Sequence, residues 1–257
     1  MNTTKIPRLV PVEIAFEHVN IASIADDLIT VGVSLYDYAH FLPDCLESIL
    51  SQRHPHLDLI VVDDASGKDD SLGIARTWLR AHTESFARVL LLRHASNQGL
   101  AETRNTGFTY ARSELVFVMD ADNMLYPRAI SRLYEVMRHR EFDAAYTQLE
   151  FFGSEQRLGY ADIWQREWFV GGNYVDAMAL VAKQAWAHVG GYVHSEGWED
   201  YDFWCKFLER GLTAAYVPEI LCRYRVHPGS MIRTDTAKAH QQLVVQMTMR
   251  HPWLSLS

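Results

Sequence analysis

The chain has 257 residues, 48% of them apolar and 22% charged, with a formal net charge of −8. That is the profile of a globular protein with ample core, and its acidic balance argues against broad nucleic-acid binding, which needs a basic face. Three scattered cysteines, Cys45, Cys205 and Cys222, make neither a disulfide framework nor a structural zinc site; with no signal peptide and no apolar run long enough for a membrane span, the expectation is a cytoplasmic protein.

Residues 1–28 read as a lead-in segment outside any sheet. From about Ile29 to Phe152 apolar strands then alternate with amphipathic helices. "LITVGVSL" predicts a strand and "DYAHFLPDCLESILSQ" the helix after it. "LDLIVVDD" is a second strand, followed by a helix near Asp69–His82. "ARVLLLRH" is a third strand, and "NQGLAETRNTGFTYARS" opens with a turn and continues as a helix. "ELVFVMD" is the fourth strand, and "YPRAISRLYEVMRHR" starts a helix with Pro127 near its first turn. "EFDAAYTQLEFF" is the fifth. Such alternation predicts an α/β fold, a Rossmann-like, mostly parallel central sheet with helices on both faces.

Beyond Phe152 the rhythm breaks. A Gly- and Trp-rich stretch leads to a strand over "YVDAMALVA", a helix near "KQAWAHVG" and the loop "GYVHSEG". The helix "WEDYDFWCKFLERG" follows, then two strands, "LTAAYVP" and "ILCRYRVH", and a tail that is polar and then weakly helical.

In an open parallel sheet, ligands bind at the carboxyl ends of the strands. Polar or acidic groups stand at three such ends: Ser34 through Asp37, Asp63 and Asp64, and Asp120 and Asp122. In "VFVMDADNMLYP" a buried strand runs directly into two aspartates one residue apart. Like charges repel and lose hydration near a core, so a cation is the natural compensation. Alternation along a strand would put both carboxylates on one side, where Mg²⁺ or Mn²⁺ suits their oxygens. The plainer reading is a cap for the helix that follows.

The ordered segments "VGVSLYDYAHFLPDCLESILSQ", "LIVVDDASGKDDS", "NQGLAETRNTGFTYARSELVFVMDADNMLYP", "VGGY" and "GWEDYDFWCKFLERG" resemble the inverting family 2 glycosyltransferases of the GT-A fold, over roughly Leu28 to Ile232. The resemblance implies a GT-A domain over 29–232, with a nucleotide-sugar-binding half at 29–123 and an acceptor half at 124–232, followed by a helical tail at 233–257. It implies that Asp120-Ala121-Asp122 is a DXD motif, with Asp122 as the firmer metal ligand and Asp120 on ribose or metal. It assigns Ser34, Tyr36 and Asp64 to the nucleotide and Arg104 to the donor phosphates. Ala65 stands where the family often has Gly. It makes Asp200 of the "ED" pair the base, with Asp202 in reserve, and His227 a further metal or phosphate contact. Trp168, Trp198 and Glu199 fall on the acceptor side.

The implied partners are a nucleoside-diphosphate sugar, a UDP-sugar first, and a glycan, lipid-linked or other hydroxyl acceptor in bacterial-type polysaccharide or glycoconjugate synthesis; the implied cofactor is Mn²⁺ or Mg²⁺. Two other readings stay open at this point: a catalytically silent sugar-nucleotide module, and a haloacid-dehalogenase-like phosphatase, whose aspartate pair has the same spacing.

Overall fold

The computed structural model describes residues 10–20, 25–230 and 235–256. The first part of the chain runs through β1 (Val12–Val19), β2 (Ile29–Leu35), α1 (Leu42–Leu50), β3 (Leu57–Asp63), α2 (Ser71–Ala81), β4 (Arg88–His94), α3 (Leu100–Tyr110) and β5 (Leu115–Asp120). The second part holds β6 (Met124–Leu125), α4 (Ala129–Met137), β7 (Ala144–Gly153), β8 (Arg157–Leu158) and α5 (Arg166–Phe169). It continues with β9 (Ala179–Ala182), α6 (Lys183–His188), α7 (Glu199–Glu209), β10 (Ala214–Val226) and α8 (Asp235–Arg250). Among the described residues the strands make one sheet in the order β1-β4-β3-β2-β5-β9-β7-β10-β6, with β8 paired to β7.

The central strands follow from their composition. All seven residues of β3 are buried, as a strand covered on both faces requires. In α1, Leu42, Cys45, Leu46 and Ile49 recur at helical spacing and face the sheet. Helix α3 is buried almost all round; it lies close to β2, where Gly107 and Gly32 face each other without side chains between them. The register aligns Leu35 with Asp63 and Ser34 with Asp120, so the three polar strand ends share one edge of the sheet.

Three sequence expectations are corrected. Val12–Val19 does not lie outside the sheet: β1 pairs antiparallel with β4, covering an edge that β4 would otherwise leave open. The central sheet is mostly parallel as expected, with β9 running antiparallel between β5 and β7. β9 is also shorter than "YVDAMALVA": Asn173 and Asp176 bond the amides of Val175 and Met178, forming local turns where extended backbone was expected. The last two strands are one, β10, whose register shifts between Val217 and Ile220, around Pro218, a residue with no N–H to give the ladder. Residues 1–9 and 21–24 of the lead-in, and the boundary at Ile232, lie outside the described residues. Among the described residues no helix is long and apolar enough to cross a membrane.

Candidate active site

On the donor edge the carboxylates are taken up by the protein itself. Asp64 is buried, and its Oδ1 accepts from His94 Nδ1 at 2.6 Å and from the Gln98 amide at 2.8 Å. Its Oδ2 accepts from the Gly99 amide at 2.8 Å. Gly99 takes φ 90°, which a glycine tolerates, and so turns the chain into α3. The Asp64 carboxylate fastens the start of α3. Asp37 does the same for the neighbouring loop, accepting from the Gly67 and Lys68 amides at 2.9 Å each. Ala65, in the position read as a departure from Gly, sits at φ 60°, a left-handed conformation that strains any residue with a Cβ. Ser34 is buried beside Asp120 in the register, with its carbonyl accepting from the Ala121 amide. Tyr36 is 40% exposed at this edge, with Lys68 Nζ 5.7 Å from its ring centre. An open aromatic face beside a cation suits a nucleobase.

The two acids of the Asp-Ala-Asp triplet part company. β5 ends at Asp120, and Asp122 stands in the turn beyond it, so strand alternation does not aim them at one point. Asp120 receives Arg104 Nη2 at 3.0 and 3.2 Å. Burial raises its pKa, with Arg104 pulling the other way. Asp122 Oδ2 lies 3.1 Å from His227 Nε2. The imidazole is held edge-on against Tyr38 and tilted against Phe41, at 5.5 and 4.7 Å between ring centres. Arg225, absent from the sequence reading, clamps the turn: its Nε donates to the Asp122 carbonyl at 2.8 Å and its backbone amide to Asn123 Oδ1 at 2.9 Å. The alternation Arg223, Arg225, His227 along one strand face was the signal for it.

Among the described residues no three His, Cys, Asp or Glu side chains converge as a closed cation site. One carboxylate and one imidazole, Asp122 and His227, are a donor set that fits Mn²⁺ or Mg²⁺ when phosphate oxygens and water complete the shell.

Arg104 joins this edge to the acceptor side. It is 6% exposed, its guanidinium lies 5.3 Å from the Tyr192 ring centre, and its buried Nε has no partner. Across from Asp120 stand the acids that open α7. The N-cap position belongs to Trp198, at φ 61°, with no side-chain cap, and Glu199 and Asp200 stand in the first turn of the helix. Asp200 is half-buried; its Oδ2 accepts from Asn173 Nδ2 at 2.8 Å and its Oδ1 from the Tyr201 amide at 2.9 Å. Loss of hydration raises its pKa, and the positive charge of Arg104 opposes the rise. Burial pushes Glu199 up to about 7, again against Arg104. Asp176, which sequence reasoning missed inside an apolar run, joins them: burial and the charge of Asp200 raise it to about 7.

Asp202 is no reserve base. It is 1% exposed and receives Lys206 at 3.0 Å, and Arg250 and His251 at 3.2 Å each. Burial alone would raise its pKa, but these partners hold it at about 2, where it takes up no proton near neutrality. It fastens α8 to α7. Trp168 is 45% exposed and packs edge-on to Tyr174, and Trp198 packs edge-on to Tyr201 and to His240 of α8. Both tryptophans thus lie on the acceptor half.

The family model for Glycosyl transferase family 2 matches residues 30–181. Putative glycosyltransferase EpsE of Bacillus subtilis is 24% identical over 238 residues, 89% of this chain and 84% of that protein. Glycosyltransferase GlyG of Streptococcus pneumoniae is 29% identical over 117 residues, 46% of this chain but only 37% of its own length. Among solved structures, S. aureus TarS 1–349 in complex with UDP-GlcNAc superposes with a TM-score of 0.68 at 13% identity, over 86% of this chain and 66% of that 1–349 chain. The mannosyltransferase PcManGT from Pyrobaculum calidifontis, in complex with GDP-Man and Mn²⁺, gives 0.61 at 19% identity, over 87% of this chain and 68% of its own. With a match running from β2 into β9 and a sheet edge built on the same plan, the chain belongs to glycosyl transferase family 2 and has the GT-A fold.

Proposed function

We propose that the protein is an inverting, metal-dependent glycosyltransferase. It moves a sugar from a nucleoside-diphosphate donor, a UDP-sugar first, to a hydroxyl of a glycan, lipid-linked or other acceptor, in bacterial-type polysaccharide or glycoconjugate synthesis. The observation that carries this reading is the placing of two acid sets about one buried guanidinium. Asp120 is bonded to Arg104, and the charge of Arg104 is also felt by Glu199 and Asp200. A single displacement needs a leaving group on one side of the anomeric carbon and a base on the other, and this arrangement offers both.

Asp122 and His227 would hold the divalent ion, which when bound offsets charge on the departing diphosphate. Tyr36 offers its open face to the base. Arg104, desolvated and permanently charged, holds Asp120 in place and steadies negative charge nearby. Asp200 takes the acceptor proton. It is the more exposed of the two acids that open α7, and a carboxylate with a raised pKa is a better proton acceptor near neutrality. Asn173 and the Tyr201 amide each donate to one of its oxygens, and each oxygen keeps a further lone pair to meet a hydroxyl.

Calorimetry of UDP with Mn²⁺ and with EDTA tests the reading. Affinity should fall by at least about tenfold in EDTA, and Asp122→Ala should abolish the difference while the melting temperature stays close to wild type. Equal affinity with and without metal would remove the metal from the proposal.

A further inference from the structure

Tyr192 is 3% exposed, and its hydroxyl has no hydrogen-bond partner. The ring cannot turn away. It stacks on Phe203 at 4.3 Å with an interplanar angle of 11°. Its backbone N–H donates to Asn105 Oδ1 at 2.8 Å, and its carbonyl accepts from Asn105 Nδ2 at 2.9 Å. A buried hydroxyl left unpaired is destabilising, and phenylalanine would fill the same volume without that cost. A feature that costs stability where a simpler residue would serve points to a ligand.

The Arg104 guanidinium lies 5.3 Å from the Tyr192 ring centre and meets Asp120 at 3.0 Å, which places the ring beside that pair. Arg104 Nε, also buried and unpaired, lies in the same group. On the glycosyltransferase reading, on which this inference rests, the donor sugar must sit between the diphosphate at Asp122 and His227 and the base at Asp200. Tyr192 and Asp176 are coupled to the residues on both sides of that position. Asp120, Asp176, Glu199, Asp200 and Arg104 act on one another's charge, so this group sets four carboxylates against one guanidinium.

We infer that the Tyr192 hydroxyl binds the transferred sugar, and that the carboxylates around it admit neutral hexoses and N-acetylhexosamines while rejecting uronates. A hydroxyl or amide on the sugar can donate to these carboxylates and accept from Tyr192. A sugar carboxylate would meet like charge in a poorly hydrated site.

UDP-glucose and UDP-glucuronate differ only at C6, a CH₂OH against a carboxylate, which makes them the probe pair. Both are titrated beside UDP alone, with Mn²⁺, at pH 8, where Asp176 and Glu199 carry their charge. UDP-glucuronate should bind at least about tenfold more weakly than UDP-glucose, and Asp176→Asn should narrow that ratio. Equal binding of the two sugars in wild type overturns the inference. Tyr192→Phe should melt at the same or a higher temperature and bind UDP-glucose several-fold more weakly, with UDP unchanged. A Phe variant with an unaltered UDP-glucose to UDP ratio, or one that melts lower, overturns the role of the hydroxyl. A parallel series compares GDP, GDP-mannose and GDP-mannuronate. If neither UDP nor GDP binds wild type, the glycosyltransferase reading falls and this inference with it.

Discussion

Asp64 on the donor edge and Asp200 on the acceptor edge are both aspartates at the end of a regular element. Asp64 receives one imidazole and two backbone amides, whereas Asp200 receives a single side-chain amide besides the amide of the next residue. The same contrast holds for their neighbours. Asp37 ties loop amides and Asp120 is matched to Arg104, while Glu199 and Asp176 are raised by burial to about 7. On one side carboxylates build backbone; on the other they are held short of donors, and a carboxylate short of donors is the one ready to take a proton. On the proposed reading, chemistry and scaffold are separated by how many N–H groups each acid receives.

The comparison predicts opposite failures. Asp200→Asn keeps the shape and the bond to Asn173 within reach of an amide flip, so folding and donor binding should persist. Transfer to a true acceptor should drop by about 10²–10⁴-fold, measured at saturating donor. An Asn variant with full activity would move the base to Glu199. Asp64→Ala should do the reverse: removing it takes one of two partners from the buried His94 imidazole and frees two part-buried amides, at about 2–4 kcal/mol, read by denaturant unfolding. Asp176→Ala, which frees only the Met178 amide, should cost less than about 1 kcal/mol. If Asp64 and Asp176 prove equally costly, the division between scaffold and chemistry is lost.

A pH-dependent effect concerns the brace between α7 and α8. Burial disfavours the His251 imidazolium, but bonds to Asp202 and Glu209 outweigh it and push its pKa up to about 9. A raised folded pKa stabilises fully below the unfolded value near 6.5, and that stabilisation is lost as pH climbs toward about 9. Stability should therefore fall by on the order of 1–3 kcal/mol across that window, and His251→Ala should flatten the slope. Asp202, depressed to about 2, works the other way and is lost only as pH drops below about 4.

The donor half was legible because its strands are short apolar runs that end in polar residues, and both halves of that signal are local. The triplet Asp120–Asp122, His227 and the "ED" pair were legible as residue types at a strand end and a helix start. Their partners were not. Asp64 meets His94 and Gln98 about 30 residues on, and Asp202 meets Arg250 and His251 nearly 50 residues on, so no window along the chain shows either contact. Asp176 was hidden by its apolar neighbours, which read as strand; the short turn that its own side chain makes was the missing piece.

The antiparallel strand β1 has a bearing on how the molecule behaves in company. It pairs with β4 along seven register positions, breaks its own regularity between Ile14 and Phe16, and leaves Glu13 and Glu17 exposed. A bulge and outward charges are the devices that keep a sheet edge from recruiting another sheet edge. Strip β1 away and the apolar β4, with its full row of amides and carbonyls, becomes the rim. The cover over that rim is thus supplied by residues that precede the family-matched stretch.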